Sequence, residues 1–481
     1  MMIEFILIFP LLSCIALIFF KNKTLSSCLL IINAIALLIA SVTLCYALNN
    51  GIKIPSLVGH YFKVDDLNIL FFLVLATVFL AVAIYSSGYV KAVNMHNKKA
   101  TYYSVGILLF VFSMTGAVLS SNMALSWVFL EATSLTSAYL IYFEKTKQSL
   151  EATWKYVFIC SIGISLGFVG IILLTASLPS INSLFFKDLY ANPSLFNHLW
   201  LNIGFVFFLI GIGTKAGLAP VHSWLPDAHS EAPSPVSALL SGVLLNTALL
   251  LILRYFHILN IAECASYGKF LLICMGILSI FITCVFVLRV KNYKRMLAYS
   301  SIENMGIIAI GVGIGGIGVY ASLIHLIFHS LAKSSFFMTS GNILIRFRSK
   351  RIDNISEIVR SDSYTAWLWM LCFVAIAGIP PSPLFISEFL IIKALFEAKH
   401  YLIILIFVIL IAVIIFGIAR SVINMSFGKS AKMDELDIVD VVKFSWTMYL
   451  PQTILLIILA ISGVYLWPFI STMIKNAASL I

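Results

Sequence analysis

His325, His329 and Lys333 recur at i, i+4 and i+8 in an apolar stretch of this 481-residue chain. Each step of four residues turns a helix by only about 40°, so the three titratable groups line up as one polar stripe. A stripe of this kind has the outline of a proton wire, since every member can gain and lose a proton without a cofactor. Histidines that merely hydrogen-bond between helices are the plainer reading, and they explain one isolated residue better than three aligned ones. Glu131, Lys215, Glu303 and Glu388 also stand inside apolar runs. A charge at the bilayer centre costs on the order of 2.5 to 3.5 kcal/mol on insertion scales, which makes each of them a functional candidate. Glu131 and Lys215 suit one another. An amine taken out of water gives up its proton readily, a nearby carboxylate restores the ammonium form, and withdrawing that carboxylate releases the proton. A static buried salt bridge is the alternative for this pair.

Other constellations carry less. The eight cysteines, Cys14, Cys28, Cys45, Cys160, Cys264, Cys274, Cys284 and Cys372, lie mostly in apolar runs with no C-x-x-C pair and read as small core hydrophobes. They offer no ligand set for zinc, haem or an iron–sulfur cluster, so neither a metal nor a cofactor is expected. Gly311-Val-Gly313-Ile-Gly315-Gly316 satisfies G-x-G-x-x-G but joins two apolar runs with no preceding strand. Close helix packing or a tight turn accounts for it better than a dinucleotide site. His222, Asp227, His229 and Glu231 cluster without metal-ligand spacing and read as a polar, solvated or interfacial loop.

The elements that must position these residues are membrane helices. The chain is 61% hydrophobic and 11% charged with mean hydropathy +1.05, which excludes a soluble enzyme, a disordered chain and a nucleic-acid module. At roughly 20 apolar residues per crossing, the composition allows at most about 14 spans. Apolar runs for spans 1 to 14 fall at 3–20, 25–48, 67–90, 101–119, 122–143, 154–178, 200–221, 233–256, 268–290, 296–315, 319–345, 364–396, 401–427 and 446–474. The first carries Glu4 in place of a basic n-region and no A-x-A site, so it reads as a permanent span rather than a signal peptide. Of the 31 Lys and Arg, 21 fall in or beside odd-numbered loops and 8 in or beside even-numbered loops and tails. The odd loops are therefore predicted to be cytoplasmic, with both termini outside. The net charge of +11 is then mostly topology and asks for no acidic partner.

Two spans are interrupted. Pro220 closes Lys215-Ala-Gly-Leu-Ala-Pro220 in span 7, and Pro380, Pro381 and Pro383 cut span 12, which is too long for one straight helix. Breaks five spans apart predict two inverted five-helix repeats, spans 4 to 8 (101–256) and 9 to 13 (268–427), in one polytopic membrane domain over 1–481. Glu388 follows the second break in the outer half of span 12 and reads as an exit group.

Gly213-Thr-Lys215-Ala-Gly-Leu-Ala-Pro220-Val-His-Ser-Trp224-Leu-Pro226-Asp227-Ala-His229-Ser-Glu231-Ala-Pro233-Ser-Pro235 resembles the signature of the antiporter-like subunits shared by respiratory complex I, Mrp-type antiporters and membrane-bound hydrogenases. Lys294-Arg-Met-Leu-Ala-Tyr-Ser-Ser-Ile-Glu303 and His325-Leu-Ile-Phe-His329-Ser-Leu-Ala-Lys333 are similar to two further blocks of that family. The Ser-Glu-Ala-Pro-Ser-Pro run is most similar to its hydrogenase-4 component F branch. The resemblance implies an all-helical, proton-translocating subunit of the bacterial or archaeal cytoplasmic membrane, with sodium moved instead in some relatives. It implies partner membrane subunits and a peripheral redox arm of nickel–iron hydrogenase or quinone-reductase type. It also implies a relay of Glu131, Lys215, His325, His329, Lys333 and Glu388. Asn246 stands where many relatives carry a lysine in span 8, and an amide takes up no proton near neutral pH. The central hop would then pass through water or directly to His325 or His329. After span 14 the long lateral helix of some relatives is not expected. Two rivals stand beside the redox-linked reading: a subunit of a gradient-driven sodium/proton antiporter, and a non-conducting membrane anchor, which Asn246 favours. Redox catalysis by this chain itself is not expected.

Overall fold

The computed structural model describes residues 2–52, 60–178, 183–428 and 444–481. Among the described residues the regular elements are helices, and extended pairing is limited to isolated bridges. Eleven helices among the described residues are long and apolar enough to cross a membrane, or twelve when Leu450–Val464 and Pro468–Ala478 are taken together across their 80° bend. Three of the fourteen expected spans account for the difference. Span 11 is one unbroken helix, Ile317–Phe347, whose titratable and hydroxyl residues dilute its apolar character. Span 12 is divided into Ser363–Ile376 and Pro383–Glu397, each too short to cross alone. Span 14 is the bent pair, a third break beside the two expected in spans 7 and 12.

Glycine followed by proline makes both interior breaks. In span 7 the helix His198–Ala216 stops at Gly217, with φ 75°, and resumes beyond Pro220 as Trp224–Glu231. In span 12 the helix Ser363–Ile376 stops just before Gly378, with φ 61°, and resumes at Pro383. A left-handed residue turns the chain off the helix axis, and glycine does so without the steric penalty of a Cβ. The prolines that follow have no N–H with which to continue the ladder.

Span 8, Ser234–Ile261, is the enclosed centre, packed on spans 3, 7 and 11 and carrying a π-helical turn at Leu240–Leu244. Span 13, Tyr401–Phe427, is peripheral and presents Leu402, Leu405 and Phe416 outward. Cys28 and Cys274 are exposed and Cys284 partly so, which corrects the expectation that the cysteines are core residues. Lipid is as apolar as a packed interior, so apolar surroundings in sequence do not separate the two.

Ion pairs join the odd loops on one face. Asp227, after span 7, pairs with Lys155 at the start of span 6 at 3.2 Å and with Arg295 at the start of span 10. Glu231 pairs with Lys350, after span 11, at 2.8 Å. At the opposite end, Arg254 late in span 8 pairs with Asp65 before span 3, and Asn260 donates to the carbonyl of Ile481. One capping device occurs on both faces. Asn122 accepts from the backbone N–H groups of Ala124 and Leu125 to start span 5, and bridges to Phe185 beyond span 6. Asn292 accepts from Lys294 and Arg295 to start span 10, and bridges to Arg351 beyond span 11.

The segment expected as a polar, solvated or interfacial loop is instead the helix Trp224–Glu231, packed on spans 5, 6 and 10 with His229 fully buried. Ion pairs to Asp227 and Glu231 neutralise the charges that would otherwise hold it in water. The G-x-G-x-x-G run serves packing and turning. Gly311 and Gly313 lie against the backbones of Gly318 and Lys269, and Gly315 and Gly316, with φ 83° and 54°, turn the chain between spans 10 and 11.

Candidate functional site

Lys215 is the last residue but one of His198–Ala216, so its ammonium sits at the carbonyl end of a helix, where a positive charge is favoured. The residue is wholly buried. Its Nζ donates to Ser134 Oγ at 2.8 Å and also bonds the Tyr156 hydroxyl, with the Tyr156 ring centroid 4.7 Å away. Ser134 lies one turn past Glu131 on span 5 and donates to Glu131 Oε2 at 3.4 Å. The expected Glu131–Lys215 pair is therefore indirect, with a hydroxyl interposed between carboxylate and ammonium. A hydroxyl accepts from an ammonium or donates to an amine, so this junction accommodates both charge states of Lys215. Glu131 is half-buried.

The second group is built around the middle of span 11. His325 Nε2 lies 2.9 Å from Asn304 Oδ1 on span 10, and Nδ1 lies 2.9 Å from Ser387 Oγ on span 12. Asn304 is held with its oxygen toward the ring because its Nδ2 donates to the Ser300 carbonyl at 2.6 Å. Nε2 therefore carries the hydrogen in the neutral ring, and the Ser387 hydroxyl donates to Nδ1. Ser387 Oγ is also 2.8 Å from the Leu384 carbonyl. When His325 is protonated, Nδ1–H donates to Ser387, whose hydrogen swings to Leu384. One hydroxyl rotation satisfies either state.

Lys333 Nζ donates to the Leu297 carbonyl at 2.7 Å and is within electrostatic reach of Glu303, which in turn reaches Glu388. The Glu388 carboxylate lies over the break in span 12, where a Cβ on Gly378 would stand 2.8 Å from Oε2. His329 stacks on His325 with ring centroids 6.5 Å apart, and among the described residues neither of its ring nitrogens has a partner. Asn246 donates to Ser330 Oγ at 2.6 Å and to the Gly242 carbonyl at 3.0 Å, which ties span 8 to span 11 beside His329. Among the described residues no hydrogen bond joins the Lys215 group to the span 11 group. Asp227 stays at the odd-loop face in its ion pairs, and His229 lies flat on Phe337 of span 11.

Sequence reasoning missed Ser134, Tyr156, Asn304, Ser387 and Lys294. Ser134 is legible in hindsight as i+3 from Glu131. Asn304 and Ser387 adjoin Glu303 and Glu388 in the chain but point about 100° away on their helices, toward a different neighbour. Tyr156 gives no signal, since it meets Lys215 only through the packing of span 6 on span 7.

Residues 120–414, which hold both groups, match the family model described as NADH:quinone oxidoreductase/Mrp antiporter, transmembrane. The hydrogenase-4 component F homolog of Methylacidiphilum infernorum is 34% identical over 433 residues, covering 88% of this chain and 89% of that protein. In the membrane-bound sulfane sulfur reductase, an archaeal respiratory membrane complex, one chain superposes with TM-score 0.86 over 100% of this chain and 97% of that one, at 24% identity. In the Mrp complex from Dietzia sp. DQ12-45-1b, one chain superposes with TM-score 0.86 over 99% of this chain and 96% of that one, at 18% identity. These two likenesses are of fold. The family match and the near full-length relative together make this chain a multi-pass, antiporter-like membrane subunit of the NADH:quinone oxidoreductase/Mrp antiporter family.

Proposed function

We propose that this chain moves protons across the cytoplasmic membrane of a bacterium or archaeon as one subunit of a redox-driven complex. The observation that carries the reading is His325, whose three-helix setting on spans 10, 11 and 12 satisfies both the neutral and the protonated ring. A structural histidine needs only one of those states. In the first half, Lys215 takes up a proton from the odd-loop face and Glu131 biases its charge through Ser134. In the second half, Lys333, His329 and His325 carry protons with water, under the influence of Glu303, and Glu388 releases them to the even-loop face. The odd loops are assigned to the cytoplasm and both termini to the outside, on the distribution of Lys and Arg. Spans 4 to 8 and 9 to 13 are assigned as inverted repeats, supported by the matched breaks and by the Asn122 and Asn292 caps on opposite faces. The drive is assigned to partner membrane subunits and a peripheral arm, of hydrogenase type by likeness to the hydrogenase-4 relative or of quinone-reductase type by the family.

A second reading, a subunit of an Mrp-type sodium/proton antiporter, is favoured by the likeness to the Dietzia chain. A third, a non-conducting anchor, is favoured by Asn246. The complex purified by a tag on this chain and reconstituted in vesicles separates them through pH-jump and sodium-jump fluorescence, with the redox reaction assayed in parallel. Lys215→Ala and Glu388→Gln are each expected to slow proton movement on the order of 100-fold. A sodium requirement without a redox activity identifies the antiporter. Proton movement at the wild-type rate in both variants identifies the anchor.

A further inference from the structure

The mechanism above uses neither His229 nor Lys294. His229 is fully buried on Trp224–Glu231, with its ring 4.7 Å from that of Phe337 at an interplanar angle of 15° and both nitrogens unpartnered among the described residues. Phe337 is one turn past Lys333 on the same face of span 11, so the imidazole extends the His325, His329, Lys333 stripe toward the odd-loop face. Lys294, equally buried, lies one turn before Leu297, whose carbonyl holds Lys333. Its own Nζ donates to the Ala232 carbonyl at 2.6 Å. The charged groups facing His229 are Lys294 of span 10 and Lys333 of span 11. Those facing Lys294 are Lys350 and Glu231, which pair at 2.8 Å and are partly exposed on the odd-loop face.

We propose that Lys294 and His229 form the intake by which the span 11 stripe takes up protons from the odd-loop face, with the Glu231–Lys350 pair at its mouth. This rests on the relay reading above and adds the source of its protons. Buried polar groups without partners are rare and costly, and two such ring nitrogens between two buried amines mark a place where protons or water pass. Asn246 leaves the alternative, loading from Lys215 across span 8, without a titratable side chain, because its amide neither accepts nor donates a transferable proton where span 8 meets span 11. In the intake, the Glu231 carboxylate takes a proton from the odd-loop face and releases Lys350. The proton passes to the neutral amine of Lys294, giving ammonium, and then to the free nitrogen of His229. The other nitrogen of His229 gives its hydrogen to the amine of Lys333, and each donor returns to its starting charge. Lys215 then governs the stripe through its charge and hands no proton across span 8.

The test uses the same purified complex in vesicles. His229→Phe keeps a ring on Phe337 and removes both nitrogens, and Lys294→Met keeps the length of the side chain and removes its amine. Each is expected to slow proton movement at least tenfold. Lys294→His is expected to restore it in part, with the dependence on odd-face pH moved to lower pH, which a purely structural residue would not produce. Wild-type rates in His229→Phe and Lys294→Met, while Lys215→Ala is defective, would overturn the intake and leave the stripe loaded from Lys215. A Lys294→His variant no better than Lys294→Met would also overturn it. Wild-type rates in Lys215→Ala and Glu388→Gln would overturn the relay reading itself.

Discussion

In the proposed relay Ser134 and Ser387 have the same part in the two halves of the protein, each within hydrogen-bond distance of a titratable group, Lys215 and His325, and offering it a hydroxyl that can turn. Tyr156 is the second hydroxyl on Lys215, so Tyr156→Phe leaves the buried ammonium one acceptor short. A hydrogen bond to a charged group is worth about 1.5–3 kcal/mol, so proton movement in vesicles is expected to fall at least about tenfold while the complex still assembles. Ser387→Ala removes the group that donates to neutral His325 and accepts from its protonated form. Its effect is expected to exceed that of Ser387→Thr, which keeps the hydroxyl, in the same assay. The charged candidates were legible because a Lys, Glu or His inside an apolar run is a local anomaly. Ser134, Tyr156 and Ser387 were not, because hydroxyls are common in membrane helices and only a packed neighbour shows which ones matter.

Breaks and caps place those side chains. Gly378 has φ 61° and the Glu388 carboxylate pressed against it, so Gly378→Ala meets both a left-handed backbone penalty and a clash. A cost of about 1–2 kcal/mol is expected from the backbone alone, read as a lower thermal midpoint in detergent, together with loss of proton movement as Glu388 is displaced. Asn122→Ala and Asn292→Ala each remove an N-cap, and each is expected to cost about 1 kcal/mol in the same melting measurement. The prolines made both breaks readable in the sequence. The helix Trp224–Glu231 was not readable, because its Asp, His and Glu look like a loop until Lys155, Arg295 and Lys350 arrive from three other parts of the chain.

At the scale of the whole molecule, Asp227, Glu231 and their partners tie loops 5, 7, 9 and 11 together on one face, and Asp65 and Arg254 close the opposite one. Cysteines introduced at the exposed positions Lys98, in loop 3, and Ser194, in loop 6, report the orientation. In right-side-out vesicles an impermeant thiol reagent is expected to label Ser194→Cys and spare Lys98→Cys, and the reverse pattern would invert the assigned topology. The sequence by itself determined that the chain lives in a bilayer as a many-helix protein, that spans 7 and 12 are broken, and which charges in apolar runs are out of place; the 80° bend between Leu450–Val464 and Pro468–Ala478 was not among its breaks. Each of those is a property of a short window of residues, set by hydropathy, by the backbone chemistry of glycine and proline, and by the cost of charge in lipid. Only the tertiary structure decided that Ser134 stands between Glu131 and Lys215, that His325 bridges three helices, and that His229 is buried on Phe337. A buried polar group must find its partner on another helix, and which helix that is depends on how the whole bundle packs rather than on any neighbouring stretch of sequence.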